Sequence, residues 1–439
     1  MTQTLESPRL TRFLKAVENG EADAADALAD ELKASGGPLL DEQEDGSVLV
    51  TFVYIGQANT VHLNSQATAD VDGRGPLMTR VPGTDVWYFS APISDRRLSV
   101  TYHFQLDDRI AEMSAVEMMQ LFREPPKVEA MMREAVLHSR PDPFNPDESI
   151  HKIEDLFEEE ERCLLRTSVL SLPDVDRATW FGPPRLPGAT LHTHTLRSEI
   201  LGNERKVVVY LPPVPLPESG DHPVVVVQDG DGFLSDGFEH IFTNLIADGE
   251  VPPFVGVFIY NPTVMSRMEE MSCQPQYAAF CADELMPWLR EKYGVTADPA
   301  RTVVAGCSYG GLASVWLGYS RSDVFGRVLS MSGSLWWGKV GFFDNEGGPL
   351  EFGRDDEPQW LNRQFASAPR KPVRFWIDAG TLETNPLEDG VSLLSANRNL
   401  RSVLEAKGYE VRYHEFSGGH DNAGWRRSLP LGLRYLLGA

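Results

Sequence analysis

Gly306-Cys307-Ser308-Tyr309-Gly310 follows a short β-branched run, Val303-Val304, and precedes a helix-forming segment that opens Gly311-Leu312-Ala313. The order strand, sharp turn, helix is that of a nucleophile elbow. Small residues must flank the serine, because the turn strains the backbone and crowds the neighbouring chain. Gly306 and Gly310 stand where that crowding falls, and Ser308 projects its hydroxyl from the apex. The following helix turns its positive N-terminal end toward the site, which suits a developing oxyanion. A bare G-x-S-x-G is a modest signal, so the chemistry needs a base, an orienting acid and an oxyanion hole elsewhere in the chain.

In this kind of site the chain order is serine, acid, histidine. The base is therefore expected just after the final strand, where Ser417-Gly418-Gly419-His420-Asp421 lies. Two glycines release the chain from the strand and let the imidazole swing toward Ser308. A neutral imidazole titrates near the operating pH, so it can take the serine proton and return it to a leaving alcohol. His414 falls inside the strand and is the weaker candidate. The acid should follow the preceding strand, where Asp378, Glu383, Glu388 and Asp389 are found. Asp378 ends that strand directly and sits close to the sheet. Glu383, beyond the Gly380-Thr381 turn, is better placed to arch over, with Asp378 as the alternative acid. Backbone N–H groups of Tyr309 and of Asp231, in the loop Gln228-Asp229-Gly230-Asp231-Gly232, are the expected oxyanion-hole donors. A phosphate cradle is not expected in that loop, because no G-K-[ST] follows. A calcium loop would lack its remaining ligands.

The elements that must position these groups read as two domains. At 439 residues the chain exceeds one ordinary domain. Residues 10–33 have helical spacing. Short aromatic and β-branched runs then follow, divided by Gly, Pro and Asp, and predict a small antiparallel β-sandwich over about residues 46–110. Residues 113–137 look helical again, with a break at Pro125-Pro126, and Glu158 to Glu161 read as a solvated helix face. The breaker-rich stretch from Pro173 to Pro187 marks the boundary between an N-terminal domain, 1–172, and a C-terminal domain, 188–439. In the latter, Val224-Val225-Val226-Val227 is the continuous apolar run of a strand buried on both faces. Residues 277–292 predict a long helix kinked at Pro287. Alternating strands and helices predict an α/β domain with a mainly parallel sheet, covered on both sides.

Composition narrows the function classes. The net charge of -24 leaves no basic excess to neutralise phosphates, so neither nucleic acid nor an anionic membrane is an expected partner. The cysteines Cys163, Cys273, Cys281 and Cys307 form no C-x-x-C pair, which fits reduced thiols better than a disulfide framework. Residues 1–21 lack a positive region followed by an apolar run, so no signal peptide is expected. No apolar run is long enough to span a bilayer. A soluble, cytoplasmic protein is the expectation; oligomeric state is open.

With these pieces in place the chain resembles the enterochelin (enterobactin) esterase family of the α/β-hydrolase superfamily. The likeness rests on Leu201-Gly202-Asn203-Glu204-Arg205-Lys206-Val207, on Gln228-Asp229-Gly230, and on Arg267 with Glu270, where Met271 stands in place of the family's leucine. It also rests on Ser332-Gly333-Ser334-Leu335-Trp336-Trp337 and on Gly418-Gly419-His420-Asp421 with Trp425-Arg426. Gly380-Thr381-Leu382-Glu383 aligns with a family segment whose glutamate is the triad acid. Asp142-Pro143-Phe144-Asn145-Pro146 and the N-terminal β-domain fit as well.

The resemblance implies a serine esterase that hydrolyses the ester (trilactone) backbone of a ferric catecholate siderophore, releasing iron in the cytoplasm. It implies no cofactor and no protein-bound metal, since the iron arrives with the substrate. Arg267 and Arg426 would meet the negative charge of the complex, and Trp336 and Trp337 would stack on catechol rings. A structural salt bridge is the plainer role for each arginine, and buried packing for one of the two tryptophans. An esterase of another small acyl ester, feruloyl or acyl-sugar, and a non-catalytic siderophore- or glycan-binding protein are the alternative expectations.

Overall fold

The computed structural model describes residues 7–108, 110–114, 117, 125–152, 164–176, 180–338, 358–385 and 391–438. Glu158 to Glu161, Cys163, Glu388 and Asp389 lie outside the described residues.

In the N-terminal part, one sheet takes β1 (Leu39–Glu42), β2 (Val48–Ile55), β4 (Thr79–Arg80) and β5 (Val86–Ile93), in the order β1-β2-β5-β4. A second takes β3 (Val61–Asn64), β6 (Ser99–Leu106), β8 (Glu148–Lys152) and β9 (Leu164–Ser171), in the order β3-β6-β9-β8, with β7 (Ser139–Arg140) beside β6. All of these pairings are antiparallel. Alternate residues of β2 (Val48, Val50, Phe52) share one core with Val61, Leu63, Val100, Tyr102, Phe104 and Leu170 of the second sheet. Phe52 and Tyr102 meet edge to face, with ring centroids 5.0 Å apart. The opposite side of β2 and β5, through Val53 and Val86, packs on Leu10, Phe13, Leu28 and Leu32.

Those four residues belong to two helices, Pro8–Glu18 and Ala24–Ser35, where helical spacing alone predicts one. The chain breaks between them at Gly20, whose φ of 75° ends the first helix. The strands also extend beyond residues 46–110. β1 precedes that range, and β7, β8 and β9 complete the second sheet from residues 139–171. Their pairing partners lie far along the chain, which local patterning does not report.

The C-terminal part is an 8-stranded sheet in the order β10-β11-β13-β12-β14-β15-β16-β17. The hairpin β10 (Thr190–Ser198) and β11 (Asn203–Leu211) is antiparallel and joins β13 (Val255–Ile259) antiparallel. From β13 through β12 (Val224–Val227), β14 (Thr302–Cys307), β15 (Arg327–Met331), β16 (Arg374–Gly380) and β17 (Glu410–Phe416) every pairing is parallel. Residues alternate between two cores. Val224, Val226, Val255 and Val257 face one, and Val225, Val227 and Phe258 the other. That double burial is why the run Val224 to Val227 carries no polar residue.

The helix predicted over residues 277–292 is three pieces: Pro275–Ala279, a π-helical segment Phe280–Leu285, and Met286–Tyr293. Pro287 supplies no N–H, and the wider turn ahead of it absorbs the lost hydrogen bond. Beside this segment the fully buried Arg205 guanidinium bonds both Glu270 carboxylate oxygens at 2.8 and 2.9 Å. It also lies 4.5 Å from the Phe280 ring centroid.

Candidate active site

β14 ends in the elbow. Ser308 has φ 55° and ψ −121°, a conformation that L-residues rarely adopt, and the helix Tyr309–Ser320 starts at the next residue. The two glycines make this approach possible. A Cβ on Gly306 would lie 2.5 Å from the Gly310 carbonyl carbon, and one on Gly310 2.9 Å from Asp229 Oδ2. The strained residue is tied to the next strand, its N–H donating to Met331 O at 3.0 Å. Ser308 Oγ lies 3.4 Å from Ser334 Oγ.

The loop after β17 brings His420 into the same cavity as Ser308. His420 Nδ1 is 2.9 Å from Glu383 Oε1, and Glu383 Oε2 accepts the Gly380 N–H at 3.2 Å. The Glu383 side chain is 1% exposed, so its carboxylate is held in one place. The Trp425 ring meets the imidazole edge to face at 5.1 Å, and its N–H donates to Ser332 Oγ at 3.0 Å. Tyr309 opens its helix and Asp231 is second in the short helix Gly230–Ser235, so both backbone N–H groups lie in a first helical turn. Asp231 lines the cavity with Ser308.

The cavity is about 260 Å³, and its walls include Asp229, Phe233, Asn261, Thr263 and Arg267. A larger one of about 470 Å³ at the junction of the two parts, beside Arg426, has neither Ser308 nor His420 in its lining.

A family model described as "Enterochelin esterase, N-terminal" matches residues 49–181, and one described as "Putative esterase" matches residues 198–436. The chain belongs to the enterochelin esterase family.

Among its relatives, the iron(III) enterobactin esterase of Dickeya dadantii (strain 3937) is 27% identical over 429 residues, covering 92% of this chain and 90% of that protein. The iron(III) enterobactin esterase of Escherichia coli O6:H1 (strain CFT073) is 26% identical over 396 residues, covering 89% and 87%. The crystal structure of ferric enterobactin esterase from Salmonella typhimurium superposes with a TM-score of 0.72 at 23% identity, over 91% of this chain and 96% of that one. That likeness establishes the shared α/β fold.

Against the enterochelin esterase pattern, the residues proposed to bind substrate divide. Arg267 lines the cavity, but Asp229 engages it bidentately at 2.7 and 2.8 Å. Burial opposes the Arg267 charge, and the Asp229 carboxylate more than offsets that, leaving its pKa raised. Glu270, three residues on, faces Arg205 instead, so one helix is anchored at two separate points. Arg426 does not reach the cavity. Its guanidinium is buried against Asp236 at 2.6 and 2.8 Å, Asp147 at 3.2 Å and the Glu148 carbonyl, which makes it a clamp between the two parts of the chain. Trp336 and Trp337 are absent from the cavity lining as well. Trp337 is 5% exposed in the core, and Trp336 packs on the Tyr309 ring.

Other residues complete the cavity wall without a local signal to find them. His151 on β8, Asn422 and Trp425 all line it. Of these only Trp425 stood in a quoted family segment; His151 arrives from the N-terminal part, on a strand that pattern alone missed. His103 on β6 lines an adjoining cavity of about 360 Å³ with Asn64, Thr101 and Thr167.

Asp378, the alternative acid, bonds elsewhere. It is fully buried, accepts from Trp376 Nε1 at 2.8 Å and from the Ser332 N–H at 3.3 Å, and is also bonded by Ser428. Burial pushes its carboxyl up to about 7, against the opposing pull of Ser428 and Trp376. A pKa raised in the folded state means that the native protein holds the proton more tightly than the unfolded chain does. The stability this contributes is fully present below about pH 4 and is lost as pH rises through about 7. Asp378→Asn keeps an acceptor for Trp376 and removes the titration. Its melting temperature should therefore gain on the wild type between pH 4 and pH 8, by an amount on the order of a few kcal/mol in stability. A constant difference across that range would show that Asp378 is ionised throughout.

Proposed function

We propose that this enterochelin esterase hydrolyses the ester backbone of a ferric catecholate siderophore and so frees the iron in the cytoplasm. The observation that carries the chemistry is the 2.9 Å contact of Glu383 with His420, in a cavity that His420 shares with Ser308 on its strained elbow. The substrate class comes from relatives named as iron(III) enterobactin esterases, which align along about nine-tenths of the chain.

In the proposed reaction Ser308 Oγ attacks the ester carbonyl while His420 Nε2 takes its proton. Glu383 holds the Nδ1–H and stabilises the imidazolium. Backbone N–H groups of Tyr309 and Asp231 receive the oxyanion. His420 then protonates the leaving serine-type alcohol, and the C–O bond breaks to leave an acyl-enzyme. Water, deprotonated by His420, cleaves that intermediate and restores Ser308. Water is the only co-substrate required, and the iron is cargo. Arg267, already neutralised by Asp229, would meet the substrate as the edge of an ion pair rather than as a free cation.

In this reading residues 1–172 form a sandwich-like N-terminal domain and 188–439 the hydrolase domain. No helix among the described residues is long and apolar enough to cross a membrane. The test is incubation with ferric enterobactin, ferric bacillibactin and p-nitrophenyl butyrate, following linear and monomeric catecholoyl-amino acids by chromatography. Cleavage of a trilactone is expected. Turnover of the small ester alone would remove the siderophore assignment and leave the serine hydrolase.

A further inference from the structure

The loop carrying His420 is held from both sides of the molecule. From the hydrolase side, the Thr381 N–H donates to Phe416 O at 2.9 Å and the Leu382 N–H to Gly418 O at 3.0 Å. The remaining ties come from the N-terminal part. The Ser99 N–H donates to Ser417 O at 3.1 Å. The Gln66 side-chain oxygen accepts the backbone N–H of His420 itself. Thr101 donates its N–H and its hydroxyl to Asp421 Oδ2, at 2.9 and 3.1 Å. The other oxygen of Asp421 accepts the Ala423 N–H at 3.0 Å, capping the helix Asn422–Leu437. One carboxylate thus joins β6 to the helix that follows the histidine.

The glycines of this loop have a different physical role from the one expected of them. Neither Gly418 nor Gly419 is among the residues at positive φ. What they provide is proximity. A Cβ on Gly418 would lie 2.8 Å from Ser99 O, and a Cβ on Gly419 would lie 1.9 Å from Gln66 Oε1. Both closest approaches are to the N-terminal part, so the Gly-Gly pair before His420 is shaped for contact with that surface. A side chain at Gly418 would meet the fixed backbone of β6, and one at Gly419 would displace the Gln66 amide that accepts the His420 N–H.

We propose that the N-terminal domain is a working part of the catalytic base. Gln66, supported by Thr101, is a positioning residue that sets His420 against Ser308, so turnover of any ester depends on it. This includes an ester small enough to stay within the Ser308 cavity, whose lining does not include Gln66. The proposal rests on the serine-esterase reading above. A domain that only bound siderophore would change the affinity for siderophore and leave small-ester chemistry alone.

The experiment compares the wild type, Ser308→Ala, Gln66→Met, Gln66→Glu and Thr101→Val in the full chain. The readouts are kcat and KM for p-nitrophenyl butyrate, the rate of Ser308 phosphonylation by a small p-nitrophenyl phosphonate, and the melting temperature. Gln66→Met keeps the bulk and removes the acceptor. It should lower kcat by roughly 10²-fold, the scale of an ångström-sized misplacement, with KM within about threefold. Phosphonylation should slow by a similar factor. Gln66→Glu, which still accepts the His420 N–H, should recover most of the loss. Thr101→Val removes one of two bonds to Asp421 and should fall between, and it carries the test if Gln66→Met does not fold. Gln66→Met with small-ester kcat within twofold of the wild type overturns the proposal. Gln66→Glu no better than Gln66→Met also overturns it, since the loss is then one of packing. Small-ester turnover that survives Ser308→Ala removes the serine-esterase reading itself, and the proposal with it.

Discussion

Ser308→Ala should lower kcat for ester hydrolysis by roughly 10⁶-fold while leaving siderophore affinity within a few-fold. The size of the effect follows from the absence of a substitute nucleophile at the apex. Cys307 is adjacent and lines the same cavity, but burial, reinforced by the nearby Asp229 carboxylate, pushes its thiol well above the usual range. It therefore rests as the thiol, which is a poor nucleophile. Alanine keeps the Cβ that the strained φ of 55° already accommodates, so the elbow and its bond to Met331 O should persist. The melting temperature should stay within about two degrees, because the half-buried hydroxyl has only a long contact, 3.4 Å to Ser334 Oγ, to lose. The measurement is single-turnover cleavage followed by chromatography, beside equilibrium binding of the intact ferric complex. Residual turnover within tenfold of the wild type would mean that another group attacks the ester.

The parts of this site that were legible in the sequence are those fixed by local geometry and chain order. A strand, a glycine-flanked serine and a helix point to an elbow, because the crowded turn requires small neighbours on both sides of the serine. The late Gly-Gly-His and the carboxylate beyond β16 followed from the order alone, and the fold brings Glu383 rather than Asp378 to the imidazole. What stayed hidden depends on residues far apart in the chain. Arg426 is separated by 190 positions from Asp236 and by 279 from Asp147, so nothing near Trp425-Arg426 reports that its guanidinium is engaged. Gln66 and His420 are 354 positions apart. The closure of the second N-terminal sheet by β8 and β9 is equally non-local, and with it the arrival of His151 at the cavity. Trp336 and Trp337 show the other limit. An aromatic pair near an active site reads as a stacking platform, yet their backbone position sends one into the core and the other onto Tyr309.

Glu383→Gln should lower kcat by roughly 10⁴-fold, and the reason lies in its second hydrogen bond. Glu383 Oε2 accepts the Gly380 N–H, and Oε1 faces His420 Nδ1. A glutamine in that pocket has one oxygen and one NH₂. Gly380 offers only a donor, so the amide oxygen turns to it and the NH₂ turns to Nδ1. The imidazole must then accept at Nδ1 and carry its proton on Nε2, the tautomer that cannot take the Ser308 proton. The same change at Asp378 should leave kcat within about threefold, since that carboxyl bonds Trp376, Ser332 and Ser428 rather than the histidine. Steady-state kinetics of both variants on p-nitrophenyl butyrate and on ferric enterobactin separate the two acids directly. A collapse of Asp378→Asn with Glu383→Gln still active within tenfold would reverse the assignment. Because Gly380 N–H enforces the amide orientation, Glu383→Ala should be less damaging than Glu383→Gln: without a wrong-way donor, Nδ1 can find water and return to the productive tautomer.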